Sequence, residues 1–133
     1  MSHKVLQPEG WARPRGYSNG IAARGTQVFI AGQVGWNAEQ RFVHTRLAPQ
    51  VAAALANVLR VLAEAGGRPE HIVRLTWYLT SRREYLDELP EIGAAYRAVM
   101  GRHFPAMSVV EVSALIEAEA KVEIEATAVL PDA

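Results

Sequence analysis

A strand pattern lies between two segments of helical periodicity, and this alternation constrains the fold more than any other feature of the chain. Residues 73–80 alternate apolar and polar side chains, which is typical of a half-buried strand. Residues 48–65 before it and 89–99 after it carry apolar side chains on one face at helical spacing, and glycines follow both segments. A helix between two strands crosses one face of their sheet, so the pattern predicts an α+β protein.

Shorter patterns complete the predicted order ββαβαββ. A short strand around Ile21 and an apolar strand at residues 28–31 are expected to form a hairpin near the N-terminus. Residues 108–112 and 121–130 are expected to form the last two strands, whereas the first fifteen residues show no period and are expected to be irregular. Because the 133 residues contain no internal repeat or linker, we expect a single domain over residues 1–133.

The two predicted helices can cover only one face of the sheet. The other face then needs a cover, and an uncovered apolar sheet face predicts self-association. The formal net charge of zero also favours self-association over repulsion.

The composition excludes several classes of protein. The chain has no cysteine, which rules out disulfides and thiolate nucleophiles. Its 14 Lys and Arg residues equal its 14 Asp and Glu residues, so we expect no binding to nucleic acid. The sequence has neither a run of roughly eighteen apolar residues nor a signal-peptide pattern, which predicts a cytoplasmic protein without membrane association.

Neither a metal site nor a cofactor site is predicted. The four histidines lack the spacing of a metal-binding motif, and the glycines at 25, 32 and 35 match no phosphate-binding loop. Glycines in such a context more often mark a bulge or a close approach of two backbones in a sheet. Serine hydrolase chemistry is not expected either, because Ser108 and Ser113 lack the Gly-x-Ser-x-Gly context.

The segment VEIEA at residues 122–126 places two carboxylates on one face of a predicted strand. Glu123 and Glu125 alternate with apolar residues, and solvation at the surface is the simplest interpretation of Glu125. Partial burial at a subunit interface would instead suit Glu123 for proton transfer. The residues by themselves leave both interpretations of Glu123 open.

Five segments of the chain carry motifs that occur together in one known family. They are YSNGI from Tyr17, VFIAGQVGWN from Val28, IVRLTWYLT from Ile72, FPAMSVVEVSAL from Phe104 and KVEIEATAV from Lys121. Together these segments resemble the Rid family, also called the YjgF or L-PSP family. The resemblance runs from about Tyr17 to Val129. It implies a chorismate-mutase-like fold with two helices on one face of a mixed sheet. It also implies a homotrimer in which the sheets form a central barrel and a ligand cleft lies at each subunit interface.

The best-known members of this family hydrolyse reactive enamines and imines, such as 2-aminoacrylate, to a keto acid and ammonia. The resemblance implies that Glu123 positions the attacking water and that Tyr17 is a cleft residue, so these two are the candidate catalytic residues. Gly32 falls in the strand whose backbone contacts the ligand in the family. Ala31 and Val109 occupy positions that are often serine and cysteine, respectively.

Met107 occupies the position of the arginine that pairs with the substrate carboxylate in the best-known members. A thioether cannot form the two parallel hydrogen bonds that a guanidinium makes with a carboxylate. The loss of such a contact weakens binding by roughly 2–5 kcal/mol. Arg15 and Trp36 also depart from the usual family pattern, and we count them among the candidate substrate-binding residues. Efficient deamination of small 2-imino acids is therefore not expected.

Three functions remain open at this point. The first is hydrolysis of the C=N or enamine bond of a different or larger substrate, anchored by Arg15 or another cation. The second is a trimer that binds a small molecule without chemistry, since Met107, Val109 and Ala31 make an apolar pocket. The third is ribonuclease activity, a label attached to some relatives, which the zero net charge argues against.

Overall fold

The computed structural model describes residues 3–132, which form a mixed sheet with helices on one face. The strands are β1 (His3–Leu6), β2 (Gly20–Ala23), β3 (Thr26–Val34), β4 (Ile72–Leu79), β5 (Ala106–Glu111) and β6 (Val122–Leu130), and the helices are α1 (Leu47–Ala63), α2 (Arg82–Asp87) and α3 (Leu89–Met100). The main sheet has the order β3-β6-β4-β5, in which β4 and β5 are parallel and the other pairs antiparallel. The α+β prediction is confirmed.

The predicted hairpin between the strands near Ile21 and residues 28–31 is wrong. β2 pairs with β1 instead, in a separate two-stranded sheet, while β3 pairs along its length with β6. The physical reason is that β6 has nine residues and offers β3 a far longer ladder than the four residues of β2. The prediction that the first fifteen residues are irregular is likewise wrong for His3–Leu6, which form β1. Four residues are too few to show a period in the sequence. Met1 and Ser2 lie outside the described residues.

The two predicted helices both pack on the core face of the sheet. α1 buries its apolar stripe against β3 and β6, and α3 packs beside α1. Pro90 lies in the first turn of α3 and Gly101 ends it at a positive φ of 67°, as their positions in the sequence predict. The short helix α2 escaped prediction because its six residues carry no apolar stripe; Ser81 caps it by accepting a hydrogen bond from the Glu84 amide at 3.0 Å.

The sheet face opposite the helices is open in the single chain. Phe29 is 73% exposed and Val110 is 43% exposed on this face, and Ser108 and Glu125 beside them are exposed as well. The face is therefore a mixture of apolar and polar side chains rather than an apolar surface. Among residues 3–132, no helix combines the length and the apolarity needed to cross a membrane.

A buried glutamine ties the start of α1 to the segment before β6. The Gln50 side chain is 0% exposed; its amide nitrogen donates to the carbonyls of His44 at 2.9 Å and Glu119 at 3.0 Å. Its amide oxygen accepts from the Lys121 amide at 2.8 Å. Three backbone groups outside regular structure thus obtain partners from one side chain, which holds the entry to β6 against the helix.

Replacement of Gln50 by leucine, which has a similar volume, tests this tie. We expect Gln50→Leu to lower the free energy of unfolding by about 2–4 kcal/mol, because three backbone groups lose their partners. Urea unfolding at equal protein concentration measures the change. Glu39→Leu in the exposed turn before α1, which lies outside the main sheet, is the control and should stay within about 0.5 kcal/mol of the wild type. Equal unfolding midpoints for the two variants would contradict the assignment.

Candidate active site

A cavity of about 440 Å³ lies between α3 and the edge strand β5. Its wall includes aromatic and aliphatic side chains from the core and two arginines. The residues that line it are Arg15, Gly16, Tyr17, Trp77, Tyr85, Leu89, Ile92, Gly93, Tyr96, Arg97, Phe104, Met107 and Val109. Pockets of this size and character hold small organic ligands.

The parallel pairing of β5 with β4 directs two predicted site residues into this cavity. Met107 is paired with Leu75, and Val109 with Trp77, so these side chains share the helix-covered face of the sheet. Met107 and Val109 are partly buried and pack against the core. The position to which the resemblance assigns an arginine therefore lies in the wall of the cavity.

The segment that carries Arg15 and Tyr17 is anchored to the start of β5. The Ser18 amide donates to the Pro105 carbonyl at 3.0 Å, and the Ser18 hydroxyl donates to the Phe104 carbonyl at 2.5 Å. Gly16 adopts a φ of 77°, which turns the chain between the two site residues. Tyr17 remains 39% exposed at the mouth of the cavity.

Three aromatic rings pack together in the wall of the cavity. Tyr96 stacks on Phe104 with ring centroids 5.5 Å apart, and Trp77 lies 6.3 Å from Tyr96. The Tyr96 hydroxyl donates to the His103 carbonyl at 2.6 Å, and burial raises the pKa of this tyrosine well above its usual range. Burial also raises the pKa of Tyr85, whose ring meets Trp77 edge-on at 88°.

The cavity is cationic. Arg15 and Arg97 contribute to its wall, whereas no aspartate or glutamate of residues 3–132 does so. Arg97 was not among the predicted site residues, because an exposed arginine on a helix is ordinary in sequence. The one available signal was Gly93 four residues earlier, since a glycine inside a helix often has a packing reason.

Glu123 lies on the opposite face of the sheet, next to Gly32. β3 has a bulge between Ile30 and Gln33, and a Cβ added to Gly32 would come within 2.0 Å of a Glu123 carboxylate oxygen. The predicted bulge is present at this glycine, and what approaches Gly32 closely is the Glu123 side chain rather than a second backbone. A side chain at position 32 would displace the carboxylate from its present position. Glu123 is partly buried, and Ala31 in the same bulge is exposed.

The eight predicted site residues therefore divide into groups within one chain. Four of them, namely Arg15, Tyr17, Met107 and Val109, line the cavity. Glu123, Gly32 and Ala31 belong to the bulge between β3 and β6. Trp36 packs on Phe42 with ring centroids 5.7 Å apart and lines a different depression beside α1. Among residues 3–132, no group of three or more histidine, aspartate or glutamate side chains is placed to hold a metal ion.

Comparison with known proteins places this architecture in a family. A family model described as endoribonuclease L-PSP matches residues 11–130. A Rid-family protein of unknown function from Yersinia pestis has a crystal structure with a TM-score of 0.85 and 36% identity, covering 98% of this chain and 100% of that one. The fold and the matched residues define an α+β protein of the L-PSP type. The chain belongs to the Rid family, also called YjgF or L-PSP, and the resemblance to this family is confirmed.

Curated relatives include proteins with a named activity. The 2-iminobutanoate/2-iminopropanoate deaminase of Escherichia coli is 32% identical over 108 residues, which are 79% of this chain and 80% of the relative. A RutC family protein of Synechocystis is 32% identical over 139 residues, covering 98% of this chain and 99% of the relative. Some members of the family are thus imine deaminases.

The raised pKa of Tyr96 predicts a loss of stability in alkali. The fold favours the neutral phenol, so the contribution is complete below about pH 10, where folded and unfolded chains both keep the proton. Above that pH the unfolded chain loses its proton first, and stability falls by up to about 1.4 kcal/mol per pH unit. Urea unfolding of Tyr96→Phe should show a lower stability than the wild type at pH 7, by about 1 kcal/mol for the lost hydrogen bond. The deficit should shrink by pH 11, whereas parallel curves would contradict the prediction.

Proposed function

We propose that this protein is a homotrimer that hydrolyses an enamine or imine larger than 2-iminopropanoate. The observation that carries the proposal is the cavity of about 440 Å³ at β5, in which Met107 takes the place of the family arginine among aromatic side chains. Such a wall favours a substrate with an apolar body, because burial of that body supplies binding energy that a three-carbon imine lacks.

The proposed reaction needs an acid-base group at the imine carbon. Water adds to the C=N carbon and loses a proton to the Glu123 carboxylate, which passes it to the nitrogen and leaves a carbinolamine. Glu123 then takes the proton of the carbinolamine hydroxyl and delivers it to the departing nitrogen as the C=O bond forms. The C–N bond breaks, so that imine and water yield a carbonyl compound and ammonia. Tyr17, at the mouth of the cavity, is the second proposed catalytic residue, and its hydroxyl orients the water or the leaving nitrogen.

The division of the site between two sheet faces supports a composite cleft. Met107 lies on the helix side of the sheet and Glu123 on the other side, whereas proton transfer requires hydrogen-bond distance to the substrate. A Glu123 from a second chain, brought to the cavity at a subunit interface, removes this conflict. The exposed Phe29 and Val110 on the open sheet face are the apolar contacts proposed to bury there.

A second candidate function is binding without chemistry. It is favoured by one observation: within the described part of the chain, the cavity wall has two arginines and no carboxylate. Cleavage of RNA is not proposed for this chain, although the matched family model carries an endoribonuclease description, because cations and anions are equal in number.

The proposed assembly predicts a trimer in solution at micromolar concentration. Light scattering should give three times the mass of one chain. Phe29→Lys should shift the protein toward the monomer, because a buried ammonium at a subunit contact is costly. Lys4→Arg on β1 is a control that keeps the charge outside the open face. A monomeric wild type would contradict the assembly.

The substitution at position 107 predicts an altered substrate range. Imines formed in solution from alanine, leucine and phenylalanine by an amino-acid oxidase are suitable substrates for an ammonia-release assay. We expect the wild type to accelerate hydrolysis least for the imine formed from alanine. Met107→Arg should raise the rate of ammonia release from this imine by at least tenfold, because a guanidinium forms two hydrogen bonds with the substrate carboxylate. Met107→Gln, similar in size and uncharged, should give no gain.

The dependence on Glu123 separates catalysis from binding. Glu123→Gln should abolish ammonia release in both the wild type and Met107→Arg, since orientation of the substrate cannot replace proton transfer. Gly32→Ala should reduce it as well, because the added methyl group displaces the carboxylate. If no imine in the series is hydrolysed faster than in buffer, the enzymatic proposal fails and the binding function takes its place.

A further inference from the structure

Arg97 lies over Gly93 on the side of α3 that faces the cavity. A Cβ added to Gly93, one turn earlier on α3, would lie 3.2 Å from Arg97 Nη1 and 3.9 Å from Cζ. Helical side chains lean toward the N-terminus, so the arginine lies back over the glycine, and both residues line the cavity. A side chain at position 93 would crowd the guanidinium in this position.

The charge of Arg97 has no partner on α3. The residues three and four positions away are Gly93, Ala94, Met100 and Gly101, none of which carries a carboxylate. The two acidic residues of the same region, Glu88 and Glu91, contact Arg46 at 3.4 and 2.7 Å. Among residues 3–132, Arg97 forms no salt bridge, so its guanidinium is available to a ligand.

Trp77 forms part of the same wall. It is 2% exposed, and its indole nitrogen has no hydrogen-bond partner among residues 3–132. Because this nitrogen is itself buried, the indole contributes apolar ring surface to the wall rather than a donor that a ligand reaches.

The apolar part of the wall defines the rest of the ligand. The stacked rings of Tyr96 and Phe104, with Met107 and Val109 on β5, surround a space that suits a flat ring. A guanidinium binds a carboxylate through two parallel hydrogen bonds, and no acidic side chain of the described wall repels such an anion.

We infer that the cavity between α3 and β5 binds an aromatic carboxylic acid, whose carboxylate pairs with Arg97 and whose ring packs on the wall of Tyr96, Phe104 and Met107. Arg97 thereby supplies from the helix a cation that Met107, an uncharged residue, cannot supply from the strand. The inference rests on the proposed function in one respect, namely that this cavity is the substrate cleft. It specifies the substrate class as an imine or enamine that carries an aromatic ring and a carboxylate.

Calorimetric titration of the full-length protein with three stable probes tests the inference. The probes are 3-phenylpropanoate, its neutral analogue 3-phenylpropanamide, and propanoate, which lacks the ring. We expect saturable binding of 3-phenylpropanoate and at least tenfold weaker binding of the other two. No saturable binding of 3-phenylpropanoate, or equal affinity for the acid and the amide, would overturn the inference.

Arginine variants identify the cation. Arg97→Gln should weaken the binding of 3-phenylpropanoate at least tenfold and leave the affinity for 3-phenylpropanamide unchanged. Arg97→Lys should lose less affinity for 3-phenylpropanoate because it keeps the charge. Arg60→Gln, an exposed helical arginine on α1 outside the cavity, is the matched control and should bind as the wild type does. Unchanged affinity in Arg97→Gln, or a loss confined to Arg15→Gln, would show that Arg97 is not the anchor. Urea unfolding of each variant verifies that the fold is retained.

Ammonia release in the same variants distinguishes this inference from the proposed function. If 3-phenylpropanoate binding depends on Arg97 while no imine is hydrolysed, the site assignment stands and the enzymatic proposal fails. If the imine from phenylalanine is hydrolysed at equal rates by the wild type and Arg97→Gln, the enzymatic proposal stands and the role of Arg97 is refuted.

Discussion

The parallel pairing of β4 with β5 is the constraint on which the rest of the site depends. Two parallel neighbours require a crossover connection, and here α2 and α3 form it across the core face of the sheet. β5 consequently ends the sheet with α3 above it, and the cavity is the space between them. Because no strand of residues 3–132 pairs along the outer edge of β5, Ser18 forms a bridge to Ala106, its first residue, and brings Tyr17 to the cavity mouth.

The sheet itself separates two of the proposed site residues, Met107 and Glu123. Alternation along a strand sends Met107 to the helix side, and the same alternation sends Glu123 between the buried Val122 and Ile124 to the open side. No side-chain rotation carries a group through a hydrogen-bonded sheet. An active site that uses both positions is therefore proposed to form between chains, with the ligand body held by one subunit and the carboxylate offered by another.

Prediction from sequence succeeded where a pattern is local and long. α1, α3, β4 and β6 each repeat their period over several residues, so the positions of Leu55, Trp77 or Ile124 in the core follow from spacing alone. It failed for β2, whose short apolar run pairs with β1 rather than with the adjacent β3. Strands that are distant in the chain compete as pairing partners, and the pattern of four residues does not determine which partner is chosen.

The family, the methionine at position 107, and the shared face of Glu123 and Glu125 follow from the sequence alone, because motifs and alternation are properties of neighbouring residues. Three features required the folded chain: Arg97 joins Arg15 in the cavity, Gly32 makes room for Glu123, and the buried indole of Trp77 has no hydrogen-bond partner among residues 3–132. Each of these features depends on residues from different elements. Their contacts follow from how α3 and β3 pack on the sheet, and packing depends on the whole core rather than on any one segment.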